Sequence, residues 1–296
     1  MAILLFGATG MLGQAIAAEA ARRGFGVVGA SRHGPDLAVD LTAVTSVRRA
    51  LVEAAHADLI INAAALTAID ECENDPGLAY AINARAVAVM AAHCRSSGAA
   101  FVHVSTDHFY SGDRDRRHGE HEPVKLLNEY ARTKYAAEAL ARTYADALVL
   151  RTNVTGSRDW NGRPTFAEWA LDALVRRAPL RLFDDFYTST IDARSFARAL
   201  FDLVRMKHSG VLNVASRTVA SKRRFVHALA AARGIALDWD GSASVHGLPT
   251  PRAESLGLDV SRAEALLGYA LPDLDRVARA LAAEWKEQQC AMPLAS

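Results

Sequence analysis

The chain has only three cysteines, Cys72, Cys94 and Cys290, and they are far apart. An odd, scattered set offers neither a disulfide framework nor zinc-ligand spacing, and it suits a reducing, cytoplasmic compartment. No apolar run reaches the length needed to span a bilayer, so no membrane partner is expected. The apolar N-terminus has no basic flank ahead of it and leads directly into a glycine turn. It therefore reads as a strand of the fold and not as a signal peptide. Charge of either sign is not in excess: Lys and Arg number 34 against 33 Asp and Glu. A polyanion-binding surface needs a basic surplus, so nucleic acid is not an expected partner. Internal repeats and low-complexity linkers are also lacking, which excludes a solenoid and a tethered array. Unpacked segments are expected only after Glu287 and in the polar loop Ser111–Pro123.

What is present is an alternation of short apolar runs with helical periodicity. Strands are expected at Ile3–Phe6, Gly26–Ala30, Asp58–Asn62, Ala99–Ser105 and Ala147–Leu150. Between them lie helices at Met11–Arg23, Val44–Ala55, Pro76–Ser96 and Asn128–Tyr144. Continuously apolar strands alternating with amphipathic helices indicate an α/β fold with a doubly wound parallel sheet covered on both faces. Ligands of such sheets gather at the C-terminal ends of the strands. Beyond Arg151 the pattern loosens into helices at Phe166–Arg177, Asp192–Met206, Ser221–Arg233 and Leu274–Glu287. This predicts a dinucleotide-binding domain over residues 1–150 and a smaller α/β substrate lobe over 151–296. A strand at Val211–Val214 is expected to return to the main sheet and interleave the two.

The first strand delivers the backbone to Gly7-Ala-Thr-Gly10-Met-Leu-Gly13. Glycine there lets the main chain approach a pyrophosphate, and the next helix points its positive end at it. Gly7, Thr9, Gly10, Met11, Leu12 and Gly13 are thus cofactor-binding candidates. NAD-specific folds place an acid about twenty residues later, on the ribose 2′-hydroxyl. This chain has Ser31-Arg32 instead, and Arg32 can pair with a 2′-phosphate while Ser31 donates to it. NADP is the favoured cofactor. NAD stays open, because Arg32 also reads as a surface arginine and Asp36 lies close by. Asp40 and Leu41 suit the adenine amino group and ring, although Asp40 also suits the cap of the next helix. The small residues Ala63, Ala64 and Ala65, after Asn62, leave room for the cofactor backbone.

Tyr130 and Lys134 lie four apart and share a helix face. A tyrosine titrates near ~10, and a neighbouring ammonium favours the phenolate. Tyr130 can then exchange a proton with a carbonyl oxygen as hydride moves at its carbon. Thr106, just after the fourth long strand, can hold that oxygen. His108 reads as a pocket histidine with a lesser case for acid/base work. His93, His103 and His227 lack partner spacing and read as packing or surface. His118 and His121 with Glu120 and Glu122 read as a solvated loop and not a metal site. Trp160 is a candidate substrate contact, and Asn83 a structural hydrogen-bonding residue near the site.

The glycine turn, Asn62-Ala-Ala-Ala65, Ser105-Thr-Asp107, Tyr130-x-x-x-Lys134 and Arg151-Thr152 together resemble the extended short-chain dehydrogenase/reductases. More narrowly the chain is similar to the dTDP-4-dehydrorhamnose reductase group. Ala64–Glu71, Asp184–Ile191 and the stretch from Pro251-Arg252 to Leu258-Asp259 look like that group's segments. The resemblance implies a Rossmann fold and reduction of a keto group on a nucleotide-linked deoxy sugar, in a chain that could pair as a homodimer. It implies Tyr130 as proton donor, Lys134 as its electrostatic partner and ribose ligand, and Thr106 as anchor of the substrate oxygen. It places Asp107, His108 and Asn153 beside the substrate and Arg252 near a nucleotide-sugar phosphate. The group continues Ser-Thr-Asp with Tyr-Val-Phe, where this chain has His108-Phe-Tyr110. It often places an aromatic after Arg-Thr, where this chain has Asn153-Val154. Both departures shift the expectation away from rhamnose-type specificity. An epimerase or dehydratase on the same scaffold, or a non-catalytic cofactor-binding subunit, are the alternatives. Dehydratases tend to have Glu where His108 stands.

Overall fold

The computed structural model describes residues 1–112, 114–158 and 164–291. Seven parallel strands form the main sheet. From one edge their order is Gly210–Asn213, Leu148–Arg151, Ala100–Val104, Leu59–Asn62, Ala2–Phe6, Gly26–Ser31 and Leu37–Ala38. Leu59–Asn62 and Leu148–Arg151 are buried throughout, as a sheet covered on both faces requires. One apolar cluster fills the face that carries Met11–Arg22 and Ala193–Arg205, and a second fills the opposite face under Val44–Glu53 and Ala86–Ser97. The chain therefore crosses both faces, and order reverses beside Ala2–Phe6, where such sheets open a ligand crevice. The strand Gly210–Asn213 extends the sheet from far along the chain. A third apolar cluster joins Phe166–Arg176, Lys222–Ala232 and Leu274–Ala291. Among the described residues no helix is long and apolar enough to cross a membrane.

Several expectations need correction. The helix expected over Pro76–Ser96 is three pieces: Pro76–Tyr80, a π-helical turn at Ala81–Arg85, and Ala86–Ser97. The wide turn is centred on Asn83, which is buried. A short helix at Ile69–Asn74 precedes it, too brief to show a period in the sequence. The loop Ser111–Pro123 is not simply a polar excursion. Arg117–His118 forms a strand beside Ser255–Leu258, and the His118 ring is buried and stacked on Tyr110 at 4.6 Å. His118 Nδ1 lies 3.1 Å from Glu122 Oε2, and Glu120 accepts from the Asn213 amide, so His118 is structural, Glu120 and Glu122 are half-buried, and His121 is exposed as expected. The last helix runs to Ala291, past Glu287. Trp160 lies outside the described residues.

Candidate active site

The glycine turn divides into packing and ligand-facing positions. Gly7 has φ of 85°, and a Cβ there would sit 2.8 Å from the Ala64 amide nitrogen. At Gly13 a Cβ would meet the Gly7 carbonyl at 2.0 Å. Those two glycines let the turn close on the strand and on Ala64. Gly10, Met11 and Leu12 instead line a cavity of about 450 Å³. The helix that starts there has no side-chain cap and no acid in its first turn. Its leading N–H groups and dipole thus face the cavity uncompensated, which fits a dinucleotide pyrophosphate. Ala63 and Ala65 form the adjoining wall. Ser31, Arg32, Asp40 and Leu41 lie outside that lining, around the C-terminal end of Gly26–Ser31. Thr9 donates to Ser31 Oγ at 3.0 Å, and Arg32 is exposed. Asp36 is held by the Gly29 amide at 2.7 Å, and Asp40 by the Thr42 amide and hydroxyl.

The opposite wall comes from Glu129–Ala141. Asn128 caps this helix by accepting from the Ala131 amide at 2.9 Å. Tyr130, Thr133, Lys134, Ala137, Glu138 and Ala141 are buried, one face at helical spacing. Its position is over-determined. Asn83 binds the Leu66 N–H and C=O and donates to Thr133 Oγ1, which itself donates to the Tyr130 carbonyl. The π turn is what aims Asn83 between the loop after Asn62 and this helix. At the other end, Arg151 forks onto Glu138 at 2.7–3.2 Å and reaches the Tyr110 hydroxyl and the Glu120 carbonyl.

Thr106, Asp107, His108, Tyr130, Lys134 and Asn153 all line the same cavity as Gly10–Leu12. Thr106 Oγ1 donates to Asp107 Oδ1 at 3.3 Å, and its hydroxyl opposes the upward shift of the Tyr130 phenol. Asp107 Oδ2 accepts from Asn153 at 2.8 Å, and burial pushes its carboxyl up toward the neutral form. His108 meets the Tyr130 ring edge-on at 5.4 Å. Burial first, then the charges of Arg252 and Lys222, push its imidazole down to about 3. His108 is therefore neutral at working pH, which disfavours it as a general acid. Arg252 lies off the cavity lining, with Nη2 4.0 Å from Asp70.

One electrostatic expectation is reversed. Burial pushes the Tyr130 phenol up, opposed chiefly by Thr106, and Lys134 is not among the groups that lower it. Lys134 itself is pushed down to about 8 by desolvation. Its Nζ donates to the Val104 carbonyl at 2.8 Å and lies 3.4 Å from His103 Nε2. His103, read above as packing, is thus a neighbour of the site. It is fully buried, sits on the central strand Ala100–Val104 and meets Asn62 Nδ2 through Nδ1 at 3.2 Å. Sequence reasoning also missed Lys222, Thr190 and Phe166, which line the cavity from the later half of the chain. Nothing local marks them.

Known proteins resemble this chain in sequence and in fold. A probable low-salt glycan biosynthesis reductase of Haloferax volcanii is 30% identical over 292 residues, covering 95% of this chain and 97% of its own. The dTDP-4-dehydrorhamnose reductase of Burkholderia thailandensis is 33% identical over 242 residues, 78% of each chain. Among solved structures, a Bacillus anthracis dTDP-4-dehydrorhamnose reductase in complex with NADP superposes with a TM-score of 0.84 at 21% identity, covering 96% of this chain and 99% of that one. The sequence profile of the RmlD substrate binding domain matches residues 1–281, which takes in the glycine turn, the Tyr130 helix and the later elements that close the cavity. The chain belongs to that family.

Proposed function

We propose that this protein is an NADPH-dependent reductase of a keto group on a nucleotide-linked sugar. The observation that carries the reading is convergence. Tyr130, Thr106 and Lys134 line one cavity with the uncapped helix start at Gly10–Leu12. Relatives named as reductases support it, one of them matching over nearly its whole length. NADPH supplies the hydride when bound. The chain's own residues do the rest. Thr106 hydrogen bonds the keto oxygen and orients it beside Tyr130. Tyr130, kept protonated by burial, donates its proton to that oxygen as the carbon is reduced. Lys134 holds the cofactor ribose and supplies the nearby positive charge. Without substrate the Thr106 proton rests on Asp107, itself tied by Asn153, and a bound keto oxygen takes that proton's hydrogen bond over. Arg32 favours the 2′-phosphate of NADPH, since Gly26–Ser31 runs directly into Arg32 where NAD-specific folds place an acid.

The experiment is NADPH oxidation followed by absorbance with a panel of 4-keto sugar nucleotides, dTDP-4-dehydrorhamnose among them. Turnover with at least one is expected. Binding of NADPH with no oxidation by any member of the panel overturns the reading.

A further inference from the structure

Lys222 is the strongest feature of the cavity that the reaction above leaves unused. It begins the helix Lys222–Ala232, lies between Phe166 and Phe186 at 4.9 and 5.5 Å from their ring centres, and lines the cavity. Among the described residues its hydrogen bond is a long one, 3.4 Å to Thr190 Oγ1. Among the described residues no carboxylate stands within ion-pair distance of its ammonium. Asp107 is the nearest source of compensation, but both Asp107 oxygens are engaged by Thr106 and Asn153. Desolvation pushes the Lys222 amine down, so its surroundings do not fully balance the charge. Among the described residues its three donors share one long hydrogen bond and two ring faces.

The position of this charge is informative. Hydrogen bonds run from Thr106 to Asp107, from Asn153 to Asp107, and from Thr190 to Asn153, where Lys222 joins. The chain starts at the oxygen anchor beside Tyr130, so Lys222 is tied through hydrogen bonds to the reacting end of the cavity. A deoxy sugar would set only a methyl or hydroxyl against this ammonium. A carboxylate would complete its hydrogen bonds and its charge.

We propose that Lys222 is a specificity residue that binds a carboxylate on the sugar ring, so that the substrate class is an acidic, uronate-type nucleotide sugar. This rests on the reading that the cavity takes a nucleotide-linked sugar.

The test is calorimetric binding to the NADP-loaded protein of UDP-glucuronic acid and UDP-glucose, repeated with the dTDP-linked pair. The acidic sugar should bind about tenfold or more tighter, the scale of a hydrogen bond to a charged group. Lys222→Met should bring the two sugars to parity, and Lys222→Arg should keep the preference. NADP affinity serves as the folding control, and the wild-type comparison alone decides the matter if Lys222→Met does not fold. Equal binding of the two sugars to wild type overturns the proposal, as does a preference that survives in Lys222→Met. Equal weakening of both sugars in that variant also overturns it, since it assigns Lys222 to the diphosphate. If NADPH is oxidised by dTDP-4-dehydrorhamnose while the sugars bind equally, only this inference falls. If neither sugar binds, this inference falls, and absence of NADPH oxidation across the keto-sugar panel then takes the reductase reading with it.

Discussion

Glu138→Ala should be among the most damaging single changes outside the reacting groups. Glu138 and Arg151 are both buried, and three N···O contacts of 2.7–3.2 Å join them. Arg151 also binds the Tyr110 hydroxyl at 2.5 Å and lies over the Phe109 ring at 5.1 Å. Truncating Glu138 leaves a guanidinium in a dry site with only neutral acceptors. Breaking a buried pair from one side costs about 3–5 kcal/mol. Unfolding entropy scales with length, so for 296 residues each kcal/mol shifts Tm by roughly 1.6 °C. The melting temperature should therefore fall by about 5–8 °C.

Calorimetry of the NADP-free protein measures this, with urea titration to give the free energy directly. Because the pair is dry, the loss should be nearly the same at low and high salt, unlike that of a surface bridge. The double variant Glu138→Leu with Arg151→Leu should recover a large part of the loss, since it removes both charges together. A loss under about 1 kcal/mol, or one that vanishes in high salt, refutes the argument that this pair is desolvated and joins the Tyr130 helix to the strand Leu148–Arg151.

Three further outcomes follow from the site. Tyr130→Phe removes only a hydroxyl, so NADPH affinity should persist while turnover falls about 100-fold or more; full reductase activity would eliminate Tyr130 as proton donor. Arg32→Asp should weaken NADPH by about tenfold or more, the worth of a charge-assisted hydrogen bond, and change NADH little; equal losses for both cofactors would remove Arg32 from the 2′-phosphate. His108 is held neutral in the fold down to about 3, whereas an unfolded histidine takes a proton near ~6.5. Its contribution is therefore complete above ~6.5 and is lost as pH falls toward the folded value, at up to about 1.4 kcal/mol per pH unit. Asp107, shifted upward, acts with the opposite sign, so His108→Phe is compared with wild type pH by pH. The variant should gain relative stability as pH falls from 6.5 to 5, and parallel curves would refute the shift.

The parts legible in sequence are those whose physics is local. A strand, a glycine turn and a helix start lie within thirteen residues, and Tyr130 and Lys134 within one helical turn. Thr106 could be placed because a parallel sheet presents strand ends to its ligand. The missed parts depend on contacts between distant segments. His103 occupies an apolar strand position, and only the tertiary structure sets Asn62 on one side of its ring and Lys134 on the other. Arg117–His118 is too short to show alternation, and it becomes a strand because Ser255–Leu258 lies beside it. The π turn at Ala81–Arg85 leaves no break in an alanine-rich helical pattern. It becomes visible only through what Asn83 holds. Lys222 reads in sequence as one of three consecutive basic residues, Lys222-Arg-Arg224, at the start of a surface helix. Packing is what turns it toward Thr190, between two phenylalanines.

The same distinction governs the proton chemistry. Helical spacing puts Tyr130 and Lys134 together, but dryness sets their titration. Desolvation is the largest influence on both, raising the phenol and lowering the ammonium. Among the described residues the charge that supports the Lys134 ammonium is Glu138, a turn further along the helix, and Glu138 is itself held by Arg151. The pair that braces the fold therefore also keeps Lys134 charged. Lys134 is protonated below about 8, so function that needs its charge is present at neutral pH and lost as pH rises through that value. Glu138→Gln keeps the side-chain shape and removes the supporting charge, while Arg151 remains as a like charge nearby. The alkaline limb of kcat/KM should then move to lower pH, with the acid side unaffected. A variant that is destabilised yet keeps the wild-type alkaline limb would show that Glu138 braces the helix without tuning Lys134.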